Sequence, residues 1–167
     1  IKLVGELKIK KYDLLAHSFG ARVAVKIANN DERVDRIVFT GAAGLKPRRG
    51  LKYLFKRASF LLLKRLVPRE KLARFYSSDY RSLSPVMKES FKKIVAENLD
   101  DEVKHIRKKC LVVSGEKDKE TPPYSQRKYA RYIKNSKCVF IKGAGHFCFS
   151  EKPDEFNGIV FSFLSEG

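Results

Sequence analysis

The stretch that most constrains this chain is Leu14-Leu15-Ala16-His17-Ser18-Phe19-Gly20-Ala21-Arg22-Val23-Ala24, where an apolar run meets a small-x-Ser-x-Gly sequence and then a helical pattern. It reads as a nucleophile elbow: a serine at the tip of a sharp strand-to-helix turn, its hydroxyl standing clear of the backbone at the carboxyl end of a sheet. A turn that tight is expected to need small residues two before and two after the serine. Gly20 meets this fully, and Ala16 puts a methyl group where the commoner pattern has a hydrogen. Unusual main-chain conformations cost on the order of 1–3 kcal/mol, so such a turn is worth keeping where the serine has a task.

Partners for the serine come later in the chain. Cys110-Leu111-Val112-Val113-Ser114-Gly115-Glu116-Lys117-Asp118 is a β-branched run that ends in a glycine turn, with an acid three residues beyond that glycine. Val139-Phe140-Ile141-Lys142-Gly143-Ala144-Gly145-His146 is a second such run, ending in a glycine-flanked histidine. The order Ser18, Asp118, His146, each just past a strand, separates this arrangement from the other serine-triad folds. With Gly41-Ala42-Ala43-Gly44 after the next strand, and Phe147 and Glu151-Lys152-Pro153 behind the histidine, the chain resembles the α/β-hydrolase superfamily. The likeness is to its bacterial esterase-like and carbon–carbon-bond-hydrolase-like members, and it covers nearly the whole chain.

That resemblance implies an α/β fold with a mostly parallel sheet and an inserted helical cap. In the family the elbow strand is the fifth, and the loop after the third supplies half of the oxyanion hole. Here the elbow strand, Tyr12 to Ala16, comes too early, and the chain opens on Ile1. Four strands, a helix or two and their loops amount to roughly 60–80 residues. An N-terminally truncated chain, holding only the C-terminal strands of the sheet, is therefore expected.

The remaining organisation follows from periodicity. Residues 1–45 carry the elbow, a helical stripe of Val23, Ala24, Ile27 and Ala28 that ends at Asn29-Asn30, and a strand from Val34 to Thr40. Residues 46–104 change to helices only: Leu51, Leu54, Phe55, Ala58, Leu62 and Leu66 recur at helical spacing, a second helix is expected from Arg69 to Tyr76, and a third from Ser84-Pro85 to Leu99. The resemblance makes this insertion a cap or lid. Residues 105–167 return to α/β with the acid strand, a helix from Pro122 to Ile133, the histidine strand and a last helix bearing Phe156, Val160, Phe163 and Leu164.

The chemistry expected of the constellation is nucleophilic. Ser18 attacks, His146 takes its proton and returns it to the leaving group, and Asp118 fixes the imidazole tautomer. The backbone N–H of Phe19 donates to the oxyanion, while Phe147, Phe149 and apolar cap faces suit an apolar acyl group or ring. His17 should point to the other face of its strand as a packing residue, and His105 to the surface. Glu116 and Glu120 flank Asp118, but only Asp118 stands at the family's position. The expected function is a serine hydrolase for a small acyl ester or related bond, without metal or organic cofactor. A serine nucleophile argues against an epoxide hydrolase or a haloalkane dehalogenase. The alternative is a non-catalytic or truncated member acting as a binding module.

Charge adds a weaker constraint. Lys and Arg number 36 against 19 acidic residues, a net charge of +17 that attracts anions. The lysines are scattered along every segment, so a solvated basic surface and no nucleic-acid partner are expected. A weak attraction to anionic membrane surfaces is a further possibility for the basic stretch from Arg48 to Arg65, with Lys46 and Arg69 close by. Apolar runs such as Phe60-Leu61-Leu62-Leu63 fall far short of the ~20 residues of a membrane span, so no stable insertion is expected. Cys110, Cys138 and Cys148 lack metal-site spacing and read as free thiols of a reducing cytoplasm. The oligomeric state stays open.

Overall fold

A computed structural model describes residues 1–47 and 84–166. The chain divides into two compact units, one made of Ile1–Lys46 with Asn98–Gly167 and the other of Pro47–Glu97. In the first unit the described elements run α1 (Lys2–Glu6), β1 (Tyr12–His17), α2 (Gly20–Asn30), β2 (Val34–Thr40), then, after the second unit's α3 (Pro85–Ala96), α4 (Asp100–Lys104), β3 (Lys109–Gly115), α5 (Pro123–Tyr132), β4 (Ser136–Ile141), α6 (Cys148–Glu151) and α7 (Pro153–Ser165).

The four strands form one sheet in the order β1-β2-β3-β4, every pair parallel. Parallel strands need crossovers, and helices supply them, so both faces of the sheet are covered and its central strands read as continuous apolar runs. Alternation sorts the side chains. Ile37, Phe39, Cys110 and Val112 face a core shared with Ala21, Ala24, Val25 and Ala28 of α2 and Tyr129 of α5. Val38, Leu111 and Val113 face the opposite core with Phe156, Val160 and Phe163 of α7.

In α2 the inward face differs from the expected stripe. Ala21, Ala24, Val25 and Ala28 are buried, whereas Val23 is 50% exposed. The alanines set the face because a helix lying flat on a sheet needs small side chains at the contact, and Val23 is rotated off it by the 3.6-residue period.

The insertion also ends earlier than expected over 46–104. Ser84 caps α3 by accepting from the Met87 N–H at 3.3 Å, and Pro85 begins the helix, but the helix stops at Ala96 rather than reaching Leu99. Leu99, Val103 and Ile106 are fully buried in the first unit's core, so residues 98–104 pack with the sheet. The helices expected from Leu51 to Leu66 and from Arg69 to Tyr76, and the basic stretch from Arg48 to Arg65, lie outside the described residues.

Strand β1 stands at the edge of the sheet among the described residues. It pairs with β2 alone, and Leu15 on it is 57% exposed. Cys110 and Cys138 lie on the adjacent strands β3 and β4 but are out of register, Cys110 facing Ser136 and Cys138 facing Val112. All three cysteines are free, and burial pushes the Cys110 thiol up to about 12. Among the described residues no helix is long and apolar enough to cross a membrane.

Candidate functional site

Three loops at the carboxyl ends of β1, β3 and β4 converge. The first is the turn from β1 into α2. Ser18 sits there with φ 49, in the left-handed region that costs a non-glycine residue roughly 1–2 kcal/mol. Backbone bonds hold it: its N–H donates to the Thr40 carbonyl at 3.0 Å, and its own carbonyl accepts from Ala21 and Ala43, each at 3.1 Å. The N–H of Phe19, the next residue, has no hydrogen-bond partner among the described residues, and the Phe19 ring is 43% exposed. The expected crowding at Gly20 is absent. A Cβ there would lie 3.9 Å from the Ala16 Cβ, which is ordinary contact.

The second loop follows β3. Asp118 is buried, and its Oδ1 accepts from the backbone N–H groups of Glu120 and Thr121, both at 2.9 Å. Its Oδ2 accepts from the Thr121 hydroxyl at 2.7 Å and bonds His146 Nδ1 at 2.9 Å. Burial alone would raise the Asp118 pKa, but the bonds from His146 and from the backbone and hydroxyl of Thr121 outweigh it and hold the carboxyl below its ordinary value. Asp118 is therefore ionised near neutral pH and can only accept. His146 must then carry its proton on Nδ1, which leaves Nε2 as an acceptor aimed at Ser18 Oγ, 3.1 Å away.

The third loop follows β4 and places His146. Glu151 accepts from the Gly145 N–H at 2.8 Å, and Glu116 accepts from the Gly143 N–H at 3.2 Å. The loops touch through glycines. A Cβ on Gly115 would lie 2.1 Å from the Gly145 carbonyl oxygen. Gly41, with φ 52, passes beneath the pair, and a Cβ there would come 3.1 Å from His146 Cε1 and Nδ1 and 3.3 Å from Asp118 Oδ2.

The residues singled out from the sequence fall into place unevenly. Ser18, His146 and Asp118 form one hydrogen-bonded line. Phe147 is 51% exposed beside it, its ring 5.2 Å from that of His146. Phe149 is half-buried and packs on Phe156, so it supports the site from the core side. His17 is half-buried, and its Nε2–H donates to the His146 carbonyl at 3.2 Å. Its ring lies 4.7 Å from that of His146 and 5.0 Å from that of Phe149. Burial lowers its pKa and outweighs the bond to the His146 carbonyl, so His17 packs as a neutral ring. His105 is exposed.

Two contributors escaped the sequence. Thr121 gives Asp118 both a backbone and a hydroxyl donor. Gln126 of α5, fully buried, accepts from the Ala42 N–H at 3.0 Å and donates to the carbonyls of Ala42 at 3.1 Å and Thr121 at 3.2 Å, tying the loop after β2 to the acid loop. Gln126 acts across elements distant in sequence, so no local pattern announces it, and Thr121, only three residues past Asp118, carries no motif that marks it as a donor. Among the described residues there is no cluster of three or more His, Cys, Asp or Glu able to hold a metal ion.

A model of the alpha/beta hydrolase family matches residues 1–159. Solved structures with similar folds include a meta-cleavage product hydrolase from Pseudomonas fluorescens, 23% identical, with 98% of this chain and 68% of that chain covered at a TM-score of 0.65. They also include an enol-lactonase from Burkholderia xenovorans, at 24%, 98%, 69% and 0.66. A bromoperoxidase from Bacillus anthracis gives 21%, 99%, 71% and 0.70. At these identities the structures share the fold, and this chain spans 68 to 71% of their lengths. No curated protein sequence matches it.

Proposed function

The chain belongs to the alpha/beta hydrolase family, and from that premise we propose that it is a serine hydrolase acting on a small acyl ester or a related bond. The observation that carries this reading is the continuous line from Ser18 Oγ through His146 to Asp118, with bonds of 3.1 and 2.9 Å. The Ser18 hydroxyl attacks the carbonyl carbon as its proton passes to His146 Nε2. Asp118 steadies the imidazolium that results without itself taking the proton. The carbonyl oxygen, now negative, accepts from the Phe19 N–H at the start of α2, where the helix dipole also favours negative charge. His146 returns the proton to the departing oxygen, and water, activated by the same nitrogen, then releases the acyl group from Ser18.

The apolar acyl part lies against Phe147, the exposed ring beside His146. The structural neighbours carry hydrolase, lactonase and bromoperoxidase names, so the fold by itself selects no bond. Mass spectrometry after treatment with a fluorophosphonate probe tests the proposal. It expects one adduct on Ser18, lost on unfolding and in Asp118→Asn. Labelling that spares Ser18 in the folded full-length protein would refute it.

A further inference from the structure

One charged group beside the reacting atoms has no part in the acyl transfer just described. Glu120 Oε2 lies 3.6 Å from His146 Nε2, the nitrogen that also faces Ser18 Oγ at 3.1 Å. The Glu120 side chain is 69% exposed, and among the described residues no lysine or arginine pairs with it. Its backbone is fixed all the same, because its N–H donates to Asp118 Oδ1 at 2.9 Å. Asp118 has its oxygens filled by His146, Thr121 and the Glu120 N–H itself. Glu120 thus brings a carboxylate, unpaired with any lysine or arginine among the described residues, beside the Ser18 and His146 pair.

The chemistry says what must pass that charge. A leaving alcohol takes its proton from His146 Nε2, so its oxygen has to come within hydrogen-bond reach of that nitrogen. Any group one or two carbons along the alcohol then sits a few ångströms from the Glu120 carboxylate. We propose that Glu120 reads the leaving group, favouring esters whose alcohol carries a positive charge near the ester oxygen and disfavouring those whose alcohol carries a carboxylate. The inference rests on the serine-hydrolase reading. The chain's +17 charge pulls the other way at long range, drawing anions toward the protein. At 0.1 M salt that field is screened beyond about 10 Å, so at contact distance the nearest carboxylate decides. For a partly solvated pair of charges the expected effect is about fivefold in kcat/KM for each unit change of charge on the alcohol.

The test uses the full-length protein and three butyrate esters that share one acyl group. Their alcohols are choline, its uncharged isostere 3,3-dimethylbutanol, and 3-hydroxypropanoate. The wild type should rank them in that order. Glu120→Gln should bring the choline-to-hydroxypropanoate ratio close to one, Glu120→Lys should invert it, and far-ultraviolet circular dichroism should show both variants folded. Turnover of the neutral ester with a wild-type ratio near one, or a ratio that Glu120→Gln leaves in place, overturns the inference while the serine-hydrolase reading stands. No turnover of any ester, together with no fluorophosphonate adduct on Ser18, overturns both.

Discussion

Gly41→Ala separates a site built by close approach from one built by side-chain identity alone. Two costs follow from the structure. The backbone at Gly41 has φ 52, and an L residue there costs roughly 1–2 kcal/mol. The added methyl would also lie 3.1 Å from His146 Nδ1 and Cε1 and 3.3 Å from Asp118 Oδ2, tighter than nine in ten real Cβ contacts, so the ring or the carboxylate must yield by a few tenths of an ångström. Yielding lengthens the 2.9 Å bond between them or turns Nε2 from Ser18. A misplacement near 1 Å costs about 10²-fold in rate, so a few tenths of an ångström predicts a fall in kcat of about three- to tenfold with KM little changed. The stability loss should be about 1–3 kcal/mol, read from urea unfolding. Gly20→Ala is the internal control. Among the described residues its methyl would meet only the Ala16 Cβ, at 3.9 Å, and a helix start gains from losing a glycine, so stability should hold or rise by up to about 1 kcal/mol with kcat near wild type. Esterase kinetics with p-nitrophenyl butyrate and paired urea titrations decide it. A Gly41→Ala enzyme with wild-type kcat, or a Gly20→Ala enzyme more impaired than Gly41→Ala, would refute the reasoning.

Other expectations concern separate parts of the molecule. Gly115→Ala places a methyl 2.1 Å from the Gly145 carbonyl oxygen and 2.3 Å from that of Ala144, so the acid and histidine loops cannot both keep their paths; the variant should lose at least about 3 kcal/mol and nearly all activity, and a wild-type melting temperature would contradict this. Thr121→Val removes the 2.7 Å hydroxyl bond to Asp118, a bond to a charged group worth about 1.5–3 kcal/mol. Because the folded Asp118 pKa is depressed, the stability it contributes is present above the ordinary carboxylate value near 4 and is lost as pH falls through the folded value. The wild-type advantage over Thr121→Val in urea midpoints should therefore narrow in acid, and a constant difference down to about pH 2 would argue against it. The chain should self-associate, since among the described residues β1 pairs with β2 alone and Leu15 on it is 57% exposed; Leu15→Lys should reduce the association in sedimentation velocity, and a monomeric wild-type chain would overturn that view.

The parts legible in the sequence share one physical trait: each is encoded within a few consecutive residues. The elbow needs only a strand, Ser18 and the start of a helix, and Asp118 and His146 each stand on the loop just past a β-branched run, so local pattern places all three at one end of a parallel sheet. The face of α2 was less legible. Val23, Ala24, Ile27 and Ala28 fit a helical stripe by hydrophobicity, yet the sheet admits Ala21, Ala24, Val25 and Ala28, because closeness of packing is decided by side-chain volume as well as polarity. Leu99 was misplaced for a related reason. It continues the apolar rhythm of α3, but the helix ends at Ala96, and the residue packs in another core.

The glycines mark where local reading stops. In the sequence Gly20, Gly41 and Gly115 stand alike, each just past a strand or turn, and the elbow argument singles out Gly20. In the structure Gly20 has room for a methyl, while Gly115 meets the backbone of Gly145 and Gly41 meets the His146 ring. What requires glycine is the crossing of chains from different parts of the sequence, and a crossing leaves no local trace. The same holds for Gln126, whose partner Ala42 lies on the loop after β2, and for Glu120, which faces the reacting nitrogen, whereas Thr121 serves Asp118 within one loop. The site is thus named by local motifs but held to its 2.9 and 3.1 Å bonds by non-local contacts, and substitutions at those supports should change rate and selectivity while leaving Ser18, His146 and Asp118 untouched.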